Sequence, residues 1–393
     1  MREARTARAR RALVCALATG TAALALSAGP AFAAQLTVDD NAAECPSADF
    51  TSIQAAVTAA GPGDTIRVCA GVYSEQVRIP AGKDGLKLFS TPKGAAVIKA
   101  PPVMTDPGDI VYVAGARGVS IDRFVISGPL PDSQFCSSFT RTGVRIGQGG
   151  SASMADDYIT EIRSTSTALR GCQNGVAVLV GRNFEGEVGQ AVLRDDVIDR
   201  YQKAGVVVDN AGSYADIQQT RVQGDGPIAT IAQNGIQVSR GADADVFKNI
   251  VTDNLYSPGT ASSSGLIAFE TSGLAFKDNY VARNDLDFAG VGFFGPLTNS
   301  VVEKNQFLNA TYDGIYMDEG TANNTLSQNF ARNNGTDCED FSTGPGTAAT
   351  ANFWLKNDGQ TDNRFGQICS PKGGDKPGKQ KEPNRRQAPV VTP

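Results

Sequence analysis

Histidine is absent from this 393-residue chain, and tryptophan occurs only once. Without histidine, the chain lacks both the commonest general base near neutral pH and the commonest imidazole ligand for metals. No two cysteines form a CxxC pair, so a zinc site is not indicated. Any acid–base chemistry therefore falls to carboxylates and to other polar side chains.

Long apolar runs are also missing. After residue 33 no stretch reaches the ~18 apolar residues that are needed to cross a bilayer. The shorter apolar run Ala12–Leu26 follows a basic segment and precedes Ala31-Phe32-Ala33. This pattern predicts a secretory signal peptide over residues 1–33. Its paired arginines also fit a twin-arginine signal, so the export route stays open.

Six cysteines remain once the predicted signal and its Cys15 are set aside. An even number of cysteines in an exported chain indicates disulfides. They cluster along the sequence as pairs that lie 24, 36 and 31 residues apart. The clustering predicts the bridges Cys45–Cys69, Cys136–Cys172 and Cys338–Cys369.

The charge is uneven along the chain. Acidic side chains outnumber basic ones 38 to 25 in residues 34–370, and this balance argues against a nucleic-acid partner. Residues 371–393 carry six basic and two acidic side chains and are rich in proline, glycine and glutamine. They are predicted to form a disordered basic tail.

One short motif recurs through the middle of the sequence. Gly235-Ile236-Gln237-Val238 returns thirty residues later as Gly265-Leu266-Ile267-Ala268. The glycines that open the copies are 32, 30, 30, 30, 25 and 24 residues apart, and they are Gly143, Gly175, Gly205, Gly235, Gly265, Gly290 and Gly314. Such a period indicates a solenoid, in which each strand pairs with its counterpart one coil away.

We therefore predict an all-β fold, a single-stranded right-handed parallel β-helix of roughly ten coils over residues 34–370. Alternation along a strand should point Ile236 and Val238 into the core and Gln237 outward. A column of asparagines, one per copy, should stack at a turn between strands, because asparagine tolerates a left-handed backbone and can bond its neighbours along the axis. Its members are Asn249, Asn279, Asn305 and Asn329.

Both ends of a solenoid need a cap. At the N-terminal end, residues 49–60 carry Phe50, Ile53, Val57 and Ala60 on one helical face, which predicts a capping helix that Asp49 or Thr51 begins and Gly61 ends. At the other end, the segment between Cys338 and Cys369, which holds Trp354 together with Phe341 and Phe353, is predicted to plug the last coil.

The run SIQAAVTAAGPGDTIRVCAGVYSEQVRI resembles the N-terminal part of secreted bacterial right-handed β-helix proteins of the pectin-lyase-like superfamily. Later copies, such as YDGIYMDEGTANNTLSQNFARNN, resemble the generic repeats of the same group. The resemblance covers residues 35 to 370. It implies the β-helix fold and an exported protein that binds extended polysaccharide along its outward strand faces. Fold alone does not select among the lyases, hydrolases, epimerases, tailspikes and binding proteins of the superfamily.

Offsets from each glycine predict which side chains face outward. The middle of this face is apolar, which indicates either covering loops or an apolar partner. Glu270 and Glu319 lie two coils apart, ~9.6 Å at ~4.8 Å per coil, at the outer edge of the spacing of an inverting glycosidase. The candidate substrate-binding residues are Arg240, Glu270, Asp313, Tyr316, Asp318 and Glu319.

Two functions from different classes remain. One is a secreted, extracellular protein that binds polysaccharide or cell-surface glycan without robust catalysis. The other is a lyase, hydrolase or epimerase acting on acidic polysaccharide, with catalytic residues that the sequence does not identify. The hydrolase motifs Asn-Thr-Asp and Gly-His-Gly are both missing, which favours the binding protein. No cofactor is required, although clustered carboxylates would allow calcium.

Overall fold

The protein was analysed as a computed structural model, which describes residues 33–132, 136, 141–292 and 294–371. The predicted signal peptide and basic tail lie outside the described residues, except for residues 33 and 371. The described chain forms one compact unit. It is almost entirely β-structure, with a single α-helix and three short 3-10 turns at Thr167–Leu169, Asn183–Glu185 and Thr347–Ala349.

The helix is α1 (Ile53–Ala59), and the strands are, in chain order, β1 (Gln35–Val38), β2 (Thr65–Ser74), β3 (Val77–Pro80), β4 (Lys87–Lys99), β5 (Asp109–Ala114), β6 (Val119–Asp122), β7 (Val125–Ser127), β8 (Thr142–Gly147), β9 (Gly150–Ala155), β10 (Tyr158–Thr160), β11 (Val176–Val180), β12 (Gly189–Arg194), β13 (Val197–Asp199), β14 (Ala204–Asp209), β15 (Tyr214–Gln218) and β16 (Arg221–Ile228). They continue as β17 (Asn234–Ser239), β18 (Asp243–Phe247), β19 (Ile250–Tyr256), β20 (Ser264–Phe269), β21 (Thr271–Ser272), β22 (Ala275–Lys277), β23 (Tyr280–Ala282), β24 (Leu286–Gly290), β25 (Leu297–Thr298), β26 (Val301–Glu303), β27 (Gln306–Leu308), β28 (Asp313–Met317), β29 (Thr325–Ser327), β30 (Phe330–Arg332), β31 (Thr336–Asp340) and β32 (Phe353–Leu355).

Each coil of the chain contributes a strand to three parallel sheets. Sheet A runs from β1 to β32 and contains, for example, β15, β18 and β22, while sheet B contains β16, β19 and β23; the long strands β2 and β4 belong to both. Sheet C has ten strands in the order β3-β5-β8-β11-β14-β17-β20-β24-β28-β31. Every strand of sheet C pairs with its counterpart in the next coil. The predicted parallel β-helix of about ten coils is confirmed.

Alternating side chains fill the interior, as predicted. Ile236 and Val238 are fully buried, and Gln237 between them is only partly buried. In the ladder they stack on like residues, since Ile236 pairs with Leu266 and Val238 with Ala268. Burial of this continuous apolar column is the main stabilising contribution.

The asparagine column lies at the sharp turn between sheets A and B, and its geometry confirms the prediction. Asn249 Nδ2 donates to Asn279 Oδ1 at 3.1 Å, Asn279 to Asn305 at 2.9 Å, and Asn305 to Asn329 at 3.0 Å. The column continues to Asn357, which the sequence reading missed. Each amide also donates to a main-chain carbonyl one coil back, so these buried polar groups are satisfied.

The glycine register was wrong in two coils. Gly290 pairs with Ala268, so the residue aligned with Gly265 is Asp287 rather than Gly290. Likewise Ala177, not Gly175, is aligned with Gly143. Glycine recurs at this corner because little room exists there: a Cβ on Gly235 would lie 2.4 Å from Val251 Cγ1 and 2.5 Å from the carbonyl oxygen of Gly265. Where the coil is shorter or longer than about thirty residues, as before Asp287 and Ala177, another residue takes the corner.

The N-terminal cap is a helix, but it begins later than predicted. Its N-cap is Ser52, whose hydroxyl accepts from Ala55 N, and not Asp49 or Thr51. Glu75 supports the same end by accepting from the amides of Ile53 and Gln54, a favourable position for a carboxylate. None of the described helices is long and apolar enough to span a membrane.

Three disulfides are present, and all three match the predicted pairing: Cys45–Cys69, Cys136–Cys172 and Cys338–Cys369. At the C-terminal end Trp354 is buried and its Nε1 donates to Asp340 Oδ2 at 2.7 Å. Phe341 and Phe353, in contrast, are exposed. Of these three rings, only that of Trp354 therefore packs into the core at the last coil.

Candidate functional site

The outward face of sheet C carries a middle column of one side chain per coil. Strand pairing puts Leu179 and Ala289 in this column. Counting two residues on from each repeat glycine predicts Ala177 and Gly292 at these positions, and that prediction was wrong. Its central apolar members are not an open surface, since Leu179 and Val207 are only 3% and 8% exposed. They pack together with Val176 and Ala204 in a small cluster outside the main core.

The exposed part of this face is a row of rings at the C-terminal ends of the strands of sheet C. Phe184 is 76% exposed, Phe294 is 61% and Phe341 is 43%. With the side chains between them they form what we call the aromatic strip, consisting of Phe184, Arg240, Phe269, Phe294, Tyr316 and Phe341. Six coil steps separate its ends, which makes it roughly 29 Å long at ~4.8 Å per coil.

Several neighbouring members of the aromatic strip contact each other. The Arg240 guanidinium lies 5.0 Å from the ring centroid of Phe184 and 5.4 Å from that of Phe269. The Phe269 and Phe294 centroids are 5.4 Å apart, and those of Tyr316 and Phe341 are 5.7 Å apart. These are ordinary distances for cation–π and aromatic pairs. The strip is thus a packed surface rather than a set of isolated rings.

Arg240 is the predicted residue that the structure ties most firmly into this surface. It follows β17 with a left-handed backbone (φ 54°), which turns its side chain back over the coils that precede it. Its Nη1 lies 3.0 Å from Asp209 Oδ1, and Asp209 also accepts from Ser239 Oγ at 2.7 Å. The guanidinium thus lies near two rings, and the carboxylate of Asp209 fixes its direction.

Tyr316 and Asp318 are also brought together, as predicted. The Tyr316 hydroxyl donates to Asp318 Oδ1 at 3.2 Å, and burial together with this carboxylate raises the pKa of Tyr316 to about 12. Asp318 accepts in addition from the amides of Gly292 and Glu319, both at 2.9 Å. These hydrogen bonds show that Asp318 chiefly stabilises the turn that carries Phe294. The Tyr316 ring faces outward.

The remaining predicted residues are more scattered. Asp313 begins the strand β28 that carries Tyr316, and burial, with the nearby Glu339 carboxylate, raises its pKa to about 7. Glu270 and Glu319 are exposed, and their carboxylates bond no other side chain in the described part of the chain. The amide of Glu270 donates to Gly295 O one coil on, whereas the Glu319 carbonyl lies against Gly292. The predicted hydrolase-like pairing of these two glutamates receives no structural support from a shared contact.

Sequence reasoning missed a buried ionic cluster on the same face of sheet C. Arg145 is 1% exposed, and its Nε donates to Glu187 Oε2 at 3.0 Å. The Tyr112 hydroxyl donates to the other oxygen of Glu187 at 2.8 Å, and Glu185 also contacts Arg145. Burial raises the pKa of Asp109, at the edge of this cluster, to about 6. No sequence pattern indicates these contacts, because the glutamates come from a loop about forty residues away.

One group of carboxylates among the described residues has the closeness that calcium needs. One oxygen each from Asp39, Asp40 and Glu44 lies within 4.8 Å of the others. Asp39 already accepts from the amides of Asn41 and Cys45, and Asp40 accepts from Val72 N at 3.0 Å. These bonds lie at the N-terminal cap beside its disulfide, and Asp40 Oδ1 is buried there without a hydrogen-bond partner.

Comparison with known proteins places this geometry in context. A family model described as a right-handed β-helix region matches residues 177–358. No curated protein matches the sequence. Among solved structures, the complex of XylC with xylose is 12% identical, with a TM-score of 0.52 over 76% of this chain and 68% of that one.

Two further structures are similar at lower scores. The pectate lyase Pel9A is 10% identical, with a TM-score of 0.49 over 85% of this chain and 79% of that one. The Dettilon tailspike protein gp208 is 14% identical, with a TM-score of 0.44 over 82% of this chain and 55% of that one. Likeness at such identities concerns the fold and not the activity. The protein therefore folds as a right-handed parallel β-helix.

Proposed function

We propose that the protein binds extended polysaccharide or cell-surface glycan along the aromatic strip, without robust catalysis. The observation that carries the proposal is the row of three exposed rings, Phe184, Phe294 and Phe341, which spans six coil steps along the aromatic strip. A sugar ring presents an apolar C–H face, which stacks on an aromatic ring, and a rim of hydroxyls, which need both donors and acceptors.

Polar groups beside the rings supply those donors and acceptors. Arg240 offers guanidinium N–H groups, and the exposed carboxylates of Glu270 and Glu319 offer acceptors at the same turns. Surface rings of this size, bordered by polar side chains, are typical of interaction sites rather than of inert surface. The length of the strip fits a linear chain of several sugars better than a single small molecule.

We further propose that the protein acts outside the cell. The three disulfides are typical of oxidising compartments, and the N-terminal pattern of residues 1–33 is that of an export signal. A glycan outside the cell is then the partner within reach. Nucleic acid is not a proposed partner, because the described body is acidic.

Replacing Phe294 with alanine should weaken retention on the recognised polysaccharide by roughly tenfold, because it removes the most exposed ring in the middle part of the strip. Affinity electrophoresis against a panel of neutral and uronic-acid polysaccharides measures the effect. Phe365→Ala is the matched control, since Phe365 is 96% exposed but belongs to the C-terminal segment. Equal retention of both variants would contradict the proposal.

One observation keeps the enzymatic alternative open for testing. Asp313 has a pKa of about 7, close to Glu339 and in the same strand as Tyr316, and carboxyls with such values serve as general acids in many enzymes. If incubation with uronic-acid polymers, with and without calcium, releases product, then Asp313→Asn and Glu319→Gln separate a reaction at this face from a contaminant. Glycan retention with no product supports the binding function.

A further inference from the structure

A second group of charged side chains lies away from the aromatic strip, where sheet B gives way to the loops that return to sheet C. Four of them form a continuous chain of ion pairs. Arg200 Nη1 lies 2.8 Å from Glu161 Oε1, Glu161 Oε2 lies 2.7 Å from Arg163 Nε, and Arg163 Nη1 lies 2.7 Å from Asp225 Oδ2. The chain runs between two hollows that share Asp225 as a lining residue.

The larger hollow is polar and has a volume of about 510 Å³. It is lined by three carboxylates and two guanidiniums: Asp199, Arg200, Asp225, Asp253 and Arg283. The smaller hollow, of about 230 Å³, has Ile228 and Ala229 as its accessible apolar lining, since Tyr201 and Ile231 behind them are buried. The two hollows together therefore present apolar side chains on one side of Asp225 and several hydrogen-bond donors and acceptors on the other.

The walls of this cleft are fixed by two buried glutamines. Gln202 Nε2 donates to the carbonyls of Leu169 and Cys172, both at 3.0 Å, which secures the loop that carries a disulfide. Gln233 Nε2 donates to Tyr201 O at 2.6 Å, and its Oε1 accepts from Asp225 N at 3.0 Å. A ligand would therefore meet preformed walls and would not have to order them.

The charges decide what class of ligand fits. Three carboxylates and two guanidiniums line the polar hollow, and each guanidinium already has a carboxylate partner, with Arg283 bidentate on Asp253 at 2.7 and 3.0 Å. An anionic sugar in the polar hollow would meet a net negative wall, whose two guanidiniums are already paired with carboxylates. Uncharged hydroxyls, in contrast, can donate to the carboxylates and accept from the outer N–H groups of the same pairs.

We propose that this cleft, centred on Asp225, is a second binding site that takes a short segment of neutral glycan, with a C–H face of one sugar against Ile228 and Ala229. The site extends the proposed glycan binding beyond the aromatic strip and assigns it a neutral rather than an acidic sugar. Its sugar lies on a different side of the β-helix from the strip, so a single protein would hold two glycan segments at once.

The test uses short probes that are too small to span the aromatic strip: xylotetraose, cellotetraose and tetragalacturonate, followed by calorimetry and saturation-transfer NMR on the whole chain. At least one neutral probe should bind, and should bind more tightly than tetragalacturonate. Asp225→Ala should weaken it by roughly tenfold or more, because it removes the carboxylate that both hollows share. Thr230→Trp should do the same by filling the smaller hollow without removing a charge, which guards against a folding defect in the first variant.

Two controls separate this cleft from the rest of the protein. Asp216→Ala removes a similar surface partner of an arginine, with Arg194 Nη2 at 2.9 Å, but lies on sheet A, and should change probe affinity by less than about twofold. Phe294→Ala should leave the short probes equally unaffected while it lowers polysaccharide retention. The proposal would be overturned if neither neutral probe binds, if tetragalacturonate binds more tightly than they do, or if both cleft variants bind the probes fully. If only the proposed function of the aromatic strip is wrong, the short probes still bind and only the polysaccharide-retention result fails.

Discussion

Replacing Asp157 with asparagine is expected to stabilise the protein by about 2 kcal/mol or more near pH 8, and to have little effect near pH 5. Asp157 and Asp196 occupy the column that Asn249 and its successors occupy in later coils, and both are 1% exposed. Asp157 N donates to Asp196 Oδ1 at 2.9 Å, as each asparagine amide does to the next.

The difference lies in the second atom of each side chain. Where Asn249 has an Nδ2 that donates to Asn279 Oδ1 and to the carbonyl of Ile217, Asp157 has an Oδ2 with no hydrogen-bond partner, and so has Asp196. An oxygen placed among acceptors is satisfied only if it carries a proton. Asparagine at this position would supply the missing donor permanently.

The direction of the pH effect follows from this geometry. Burial, and then the charge of Asp196, raises the pKa of Asp157, and burial likewise raises that of Asp196. A carboxyl whose pKa is higher in the folded state binds more protons when folded, so stability is retained below the unfolded value of about 4 and is lost as the pH rises above it. The wild-type protein should therefore melt at a lower temperature near pH 8 than near pH 5, apart from other titrating groups.

Thermal unfolding followed by circular dichroism at the two pH values checks this result. Asp157→Asn should reduce the pH dependence, and the double variant with Asp196→Asn should reduce it further. Asp243→Asn, at an exposed position on β18, makes the same chemical change without the buried environment and should shift the melting temperature little. A variant at Asp157 that melts lower than wild type near pH 8 would show that the column does not need a proton there.

The second large effect is expected from Asn305→Leu, which should cost about 4 kcal/mol of unfolding free energy. Asn305 Oδ1 accepts from both N and Nδ2 of Asn279, at 2.9 Å each, and its own Nδ2 donates to Asn329 Oδ1 and Phe276 O. Leucine has a similar size but no polar atoms. It would leave the buried Asn279 amide and the Phe276 carbonyl without their partners.

The matched control for this experiment is Gln306→Ala, the next residue along the chain. Its side chain lies on the outer face of sheet B and is partly buried, so its loss should cost less than about 1 kcal/mol. Chemical unfolding of the two variants, with the same probe and the same denaturant, compares them directly. Equal midpoints for Asn305→Leu and Gln306→Ala would mean that the column adds little to stability.

The features that the sequence predicted are those that recur once per coil. Asn249 and Asn279 were found because the column tolerates few other residues, and Ile236 and Val238 because alternation fixes which side chains face the core. The glycine register failed at Gly290, since the corner near Gly265 excludes bulk only locally and the shorter coil places Asp287 there instead. A residue that recurs once per coil can be predicted across coils of different length only where both flanking strands keep their positions.

The candidate site was predictable only in part, for the same reason. Arg240, Tyr316 and Asp318 lie in or next to strands, so counting from the repeat brought them to one surface. Phe184 and Phe294 come from a 3-10 turn and a loop insertion, and their contribution to that surface depends on loop paths that the period does not encode. The cleft around Asp225 depends likewise on side-chain pairs between loops of different lengths.

The aromatic strip takes one ring or guanidinium from each of five successive coils, from the Arg240 coil to the Phe341 coil. The coil rise of ~4.8 Å is close to the length that one sugar unit adds to a linear chain. Each sugar unit of a glycan lying along the strip would thus face about one coil of the protein. Duplication or deletion of a whole coil would lengthen or shorten the recognised segment by one unit, and leave the fold's register intact.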